Sequence, residues 1–152
     1  VFNEQKIIPA VKAMKDFERV LKRDESFFVV LEVHISQLAR MRKAAREADK
    51  KMIIHADLVQ GLKSDRYAAE FLSQTIKPAG IISTRGDMLR IAKKNNIMAI
   101  QRMFLLDTIA LHTSYQLTET VGPDVIELLP GVIPSYIPKC TRKRGLALLQ
   151  AG

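Results

Sequence analysis

Cysteine, tryptophan and histidine are the scarce residues of this chain: Cys140 is its one thiol, tryptophan is absent, and three histidines are scattered over 152 residues. A single thiol excludes an internal disulfide and suits a reducing cytoplasm. So few His and Cys residues provide no metal-ligand spacing, so neither a metal nor another cofactor is expected. No apolar run reaches the about 20 residues needed to span a bilayer, so no membrane partner is expected. The opening VFNEQKIIPAVKAMKD carries charges where a signal peptide would be apolar. Only VKAMK follows the first apolar run, not a Gly-rich phosphate loop. With three Tyr and six Phe and no basic–aromatic motif, base stacking is poorly provided for.

What is present is an ordinary globular composition of one domain's length, 47% hydrophobic and 26% charged, read as a single domain over 1–152. The formal net charge of +8 raises the prospect of an anionic partner, such as nucleic acid or a phosphorylated metabolite.

Short apolar runs alternate with amphipathic segments. FFVVLEV (27–33) is continuous and β-branched, as a strand buried on both faces should be. It precedes a helix at 36–49, with Leu38, Met41, Ala45 and Ala48 in one stripe and Ser36 as N-cap. KMIIHA (51–56) precedes a helix at 65–76, whose Ala68, Phe71, Leu72 and Thr75 share a face. AGIIST (79–84) precedes a helix at 86–95, and IMAIQRMF (97–104) one at 108–121 capped by Asp107. DVIELL (124–129) precedes a shorter basic segment at 135–144, and IIPAV (7–11) leads into a helix at 13–23. The tail GLALLQAG reads as a helix end.

Six strand–helix units imply a parallel sheet with right-handed crossovers, either open and doubly wound or a (β/α) barrel. An open sheet gathers functional groups at its switch point, whereas a barrel draws them from nearly every strand. Here polar groups close strand after strand, which favours a TIM-like (β/α) barrel. The chain is short for eight units, so the last strands of the barrel are expected to be missing from it.

Side chains alternate faces along a strand, so parity groups the strand-end residues. It aligns Glu32 with Val30, His55 and Asp57 with Ile53, Ser83 and Arg85 with Ile81, and Glu127 with Val125, with Thr84 turned toward the helices. Only one of Gln101 and Arg102 points the same way. Carboxylates and imidazoles suit a polyol's hydroxyls and arginine suits a phosphate, so a small phosphorylated polyol fits the set. The alternative for each residue is a satisfied strand-end group, and for Arg85 and Arg102 a salt bridge to Glu127 or Glu32. No strand after the first ends in the lysine that a Schiff-base aldolase needs. Carboxylate–His pairs leave an isomerase or lyase acting on a phosphorylated substrate as the alternative.

A second feature is RMRKAAREADKK, where Arg40, Arg42, Lys43, Arg46, Lys50 and Lys51 crowd one helix and its end. Such a patch on the outer ring could bind an RNA backbone, the alternative being a solvated helix face.

The stretches HADLVQGLKSDRYAAEFL, IKPAGIISTR, AIQRMFLLDT and DVIELLPGVIP together resemble the glycerol uptake operon antiterminator regulatory proteins, the glycerol-3-phosphate-responsive antiterminator (GlpP) family. The resemblance runs from about Ile7 to Arg144. It implies a TIM-barrel-like bacterial cytoplasmic regulator and not an enzyme. Such a protein senses glycerol-3-phosphate and acts on the leader mRNA of glycerol-utilisation genes to prevent premature termination. It implies ligand roles for His55, Asp57, Arg85, Arg102 and Glu127, and places Lys63 in the loop after the third strand. Glu32 stands where the family has Asp. The family's strand with a Gly-Gly pair and its final strand ending in Thr-Thr-Ser are missing, Gly145 running straight into LALLQAG. Omission of residues near 144–146 is the expected cause. Ordering of the terminal loops, with homodimer formation, is the expected link between ligand and RNA.

Overall fold

A computed structural model describes residues 2–104, 108–129 and 147–150. Seven strands, β1 (Ala10–Val11), β2 (Phe27–Val30), β3 (Lys51–His55), β4 (Gly80–Ser83), β5 (Met98–Phe104), β6 (Val125–Leu129) and β7 (Ala147–Gln150), form one sheet in sequence order. Every neighbouring pair is parallel. The order never reverses, which excludes the doubly wound alternative. Among the described residues β1 and β7 are the edges, so the sheet is a curled, open part-barrel.

Among the described residues five helices return the chain: α1 (Met14–Leu21), α2 (Leu38–Glu47), α3 (Arg66–Phe71), α4 (Gly86–Lys94) and α5 (Thr108–Val121). Their buried faces all join one core. Phe17 and Val20 of α1, Leu38, Met41 and Ala45 of α2, and Met88, Leu89 and Ala92 of α4 pack with Phe28, Val30, Met52, Ile54, Ile81 and Ala99 of the sheet. The opposite, concave face has its own core of Phe27, Val29, Ile53, Ile82, Ile100 and Val125. With both faces covered, β2 to β4 carry apolar residues at nearly every position. The N-terminal segment plugs the amino end of the concave face. Phe2 meets Phe27 edge-on at 5.2 Å, and Gln5 Oε1 accepts from Phe27 N at 2.9 Å while Gln5 Nε2 donates to Phe27 O at 2.8 Å.

Several local expectations change. The second helix is entered through a 3₁₀ turn (Ile35–Gln37) capped by His34, whose Nδ1 accepts from Ser36 N at 3.2 Å; Ser36 is not the cap. Beyond α3 the backbone widens into a π-helical segment, Leu72–Ile76, closed by Lys77 N donating to Leu72 O at 2.8 Å. That widening places Ile76 in the core and leaves Thr75 exposed. Lys77 ends the segment at φ 53, and Asn96 follows α4 at φ 58, both left-handed helix terminators. Ala147–Gln150 is a strand and not a helix end, because pairing with β6 decides the conformation of an apolar run too short to declare one. The basic segment 135–144, the Asp107 cap and the junction at 144–146 lie outside the described residues.

Candidate functional site

The carboxyl ends of β3, β5 and β6 bring His55, Arg102 and Glu127 to the concave face, one register step beyond its apolar core. His55 follows Ile53, Arg102 follows Ile100 and Glu127 follows Val125, each two residues along and on the same side. Register pairs Arg102 directly with Glu127. Their side chains form a two-pronged ion pair, Arg102 Nε donating to Glu127 Oε2 at 2.7 Å and Nη2 to Oε1 at 3.0 Å. The pair is well shielded, 16% and 5% exposed. Gln101, the competing residue, lies under α5, donating from Nε2 to Ser114 O at 2.9 Å and accepting from Thr118 Oγ1 at 2.9 Å.

His55 is 1% exposed, and neither ring nitrogen has a hydrogen-bond partner. A buried polar group without a partner costs about 1–3 kcal/mol, a cost that any hydrogen-bonding partner would remove. Burial lowers its pKa most, the Arg102 charge adds to that, and the attraction of Glu127 and Asp57 only partly offsets them. The imidazole is therefore neutral at pH 7 and offers one donor and one acceptor.

Asp57 stands in a 3₁₀ turn (Ala56–Leu58) that directly follows β3. Its Oδ1 accepts from Ser83 Oγ at 2.7 Å and Ser64 Oγ at 3.3 Å, and its Oδ2 from Thr84 N at 2.8 Å and Thr84 Oγ1 at 2.9 Å. Burial works to raise its pKa, but the bonds from Thr84 and Ser83, with the nearby His55, outweigh it and the net shift is downward. The carboxylate is a clamp joining the ends of β3 and β4. Thr84, expected to face the helices, is part of that clamp and was not among the expected site residues. The only trace of it in the sequence is the Ser-Thr pair that ends the strand.

The face expected for β4 is reversed. Gly80 aligns with Ile53 and Met98, where an added Cβ would already touch both side chains at 3.4 Å. Ile82 is therefore the inward residue, while Ile81 packs under the helices and Ser83 falls on that same side. Arg85 is consequently not inside: it is exposed at the entry to α4 and lines an outer cleft of about 420 Å³ with Arg66 and Arg90. The face expected for β2 is reversed as well. Val29 points inward and Val30 outward, and Glu32 lies on an exposed bend past the strand's end. Lys63 is exposed in the loop before α3.

The six cations at 40–51 do not make one surface. Arg40 and Arg46 are exposed, and Lys43 stands 3.9 Å from Glu47. Arg42 Nε donates to Lys77 O at 2.8 Å. Lys50 is drawn to main-chain carbonyls, donating to Arg23 O and, at 2.9 Å, to Glu25 O. Lys51 lies 5.0 Å above the Phe27 ring. The last two brace the start of β2.

Among the described residues no helix is long and apolar enough to cross a membrane, and no group of His, Cys, Asp and Glu is disposed to hold a metal ion. Comparison with known proteins accounts for the architecture. The crystal structure of the glycerol uptake operon antiterminator regulatory protein from Listeria monocytogenes str. 4b F2365 superposes with a TM-score of 0.93 at 45% identity, over 99% of this chain and 82% of that one. A glycerol uptake operon antiterminator-related protein from Thermotoga maritima MSB8 superposes with a TM-score of 0.73 at 30% identity, over 95% of this chain and 81% of that one. The uncharacterized protein YgcP of Escherichia coli (strain K12) is 29% identical across all 152 residues, which span 80% of its length. Neither solved relative is named as an enzyme. Residues 7–152 match the glycerol-3-phosphate responsive antiterminator family, and the chain belongs to it.

Proposed function

We propose that the protein is a transcription antiterminator that senses glycerol-3-phosphate at the concave, carboxyl end of its sheet and acts on leader mRNA. The observation that carries the sensing site is His55: buried, neutral, and with both ring nitrogens unpartnered beside the Arg102–Glu127 pair. A polyol hydroxyl, donor and acceptor at once, matches a neutral imidazole, and Glu127 accepts from a second. Arg102 supplies positive charge on the same face, and Lys63 stands on the loop after β3 to meet the phosphate. Asp57 and Ser83 hold the rim in place. The basic outer helices supply the attraction for RNA.

The test is thermal melting with sn-glycerol-3-phosphate, glycerol and inorganic phosphate in parallel. Ligand at about 100 times its Kd stabilises the native state by about 2.7 kcal/mol. For a chain of this length that is a rise of roughly 5–10 °C. His55→Ala should abolish the shift, and the ligand should be recovered unchanged. No shift with glycerol-3-phosphate, or its consumption, would overturn the proposal.

A further inference from the structure

At the opposite end of the sheet two clefts meet across the π-helical segment Leu72–Ile76. One, of about 150 Å³, is bounded by Arg42, Lys43 and Arg46 of α2 and by Thr75 and Ile76. The other, of about 520 Å³, opens between the approaches to β4 and β5 and is lined by polar side chains, among them Ser73, Gln74, Lys77 and Asn96. Lys77 joins them. Its backbone carbonyl fixes the Arg42 guanidinium through Nε, and its side chain lines the second cleft.

The first cleft is built for an anion. Arg42 and Arg46 are one turn apart, a spacing at which like charges repel. Among the described residues no carboxylate pairs with either. The Arg42 pKa is lowered, by burial first and by Arg46 second. An anion between the two forks relieves that repulsion, and the cleft is roomy enough for a phosphate group. The second cleft is uncharged apart from Lys77 and rich in amides, which present donor and acceptor together as a base edge does. Behind its wall Ser73, only 3% exposed, has a buried Oγ with no partner. In an ordinary helix that hydroxyl would turn back to the carbonyl four residues earlier; in this π-helical segment it does not.

We propose that the paired clefts bind one nucleotide of a single-stranded RNA, its phosphodiester between Arg42 and Arg46 and its base edge against Gln74 and Asn96, with Lys77 completing the pocket. The assignment rests on the reading of the protein as an RNA-acting regulator and gives the RNA a site remote from His55. It also replaces the six-cation patch at 40–51 by the part of it not engaged in bracing β2. The absence of aromatic residues around these clefts makes recognition depend on hydrogen bonds and charge, not on stacking.

The experiment is fluorescence anisotropy of the full chain with fluorescein-labelled single-stranded poly(A), poly(C) and poly(U) RNA over a salt series. Each phosphate contact contributes about 0.7 to the slope of log K against log salt. Arg42 and Arg46 share one phosphate, so Arg46→Ala with Arg42→Ala should flatten the slope by about that amount and weaken binding roughly threefold near 0.2 M salt, with Arg46→Ala alone giving part of the loss. Gln74→Ala with Asn96→Gly, which keeps the left-handed backbone, should change the order of preference among the three RNAs and leave the slope alone. Lys15→Ala on α1 should do neither, and melting curves of the variants should match the parent within a few degrees. If the parent binds none of the RNAs, the RNA reading and this site fall together. If the parent binds and the arginine and amide variants bind as it does, this site alone is refuted.

Discussion

Replacing Asp57 by asparagine asks whether one carboxylate holds the ends of β3 and β4 together. A carboxamide keeps one acceptor oxygen. Placed where Oδ2 sits, it still receives Thr84 N and Thr84 Oγ1, and its NH₂ then faces the Ser83 and Ser64 hydroxyls. A hydroxyl rotates to accept, but Ser83 Oγ already accepts from Arg85 N at 2.9 Å, so its own proton is left without a partner. The variant thus loses the 2.7 Å bond and the charge assistance of the other two. Bonds to charged groups contribute about 1.5–3 kcal/mol and neutral ones about 0.5–1.5. Allowing for the partly buried position of Asp57, Asp57→Asn should cost about 2–3 kcal/mol, and Asp57→Ala more, since every bond goes.

Urea unfolding reads this directly, as a midpoint lowered by about 1–2 M with an unchanged slope. Acid provides an independent check. The folded pKa of Asp57 is depressed, so its contribution is complete above its unfolded value near 4 and is lost as pH falls through the folded one. The parent should lose stability over that interval, and Asp57→Asn should lose less. A variant with the parent's urea midpoint and the parent's acid limb would refute the clamp.

Three further outcomes follow from the same geometry. Glu127→Gln leaves Arg102 charged and poorly paired in a site only 16% exposed, at a cost of about 2–3 kcal/mol; the double variant Arg102→Met with Glu127→Leu should recover most of it in the same urea assay. His55 has a depressed folded pKa, so its contribution is complete above about 6.5 and declines as pH falls from there toward the folded value. His55→Gln should remove that decline, and an imidazole titration by NMR should show the His55 ring taking up its proton only below about pH 6.5. Gly61 adopts φ +84, and a Cβ there would stand 3.0 Å from Ile35 Cγ2. Gly61→Ala should therefore lower stability by about 1–2 kcal/mol, measured by the same urea assay.

The alternation of strands and helices was legible because β-branched runs and three-to-four-residue stripes differ plainly in period, as in FFVV against Leu38, Met41 and Ala45. Which face a strand-end group occupies was legible only in part. For β3 and β6 the assignment through Ile53 and Val125 agrees with the concave core. For β4, Ile81 and Ile82 are both buried, one on each side, so apolarity carries no parity and the deciding residue is Gly80, small because Ile53 and Met98 close over it. For β2 the strand ends before Glu32 is reached. The choice between Gln101 and Arg102 was settled by α5, whose Ser114 carbonyl and Thr118 hydroxyl claim the amide. The π-helical widening has no sequence signature at all, yet it creates the junction of the two clefts.

Residue type therefore could not separate the struts of this site from its open groups, and counting partners does. Asp57 was expected among the ligands beside His55, and both are polar groups at the same strand end. Asp57 is satisfied on both oxygens by donors from Ser64, Ser83 and Thr84, and taking up a ligand would require it to release the rim it holds. Arg102 and Glu127 are satisfied by each other, so a ligand gains there only by sharing acceptors and charge already in place. His55 alone of the three strand-end groups on the concave face is buried with nothing to bind, and an incoming hydroxyl would remove a cost the folded protein already bears. That asymmetry makes His55 the residue on which ligand affinity should depend most steeply, with Asp57 affecting affinity through the stability of the rim.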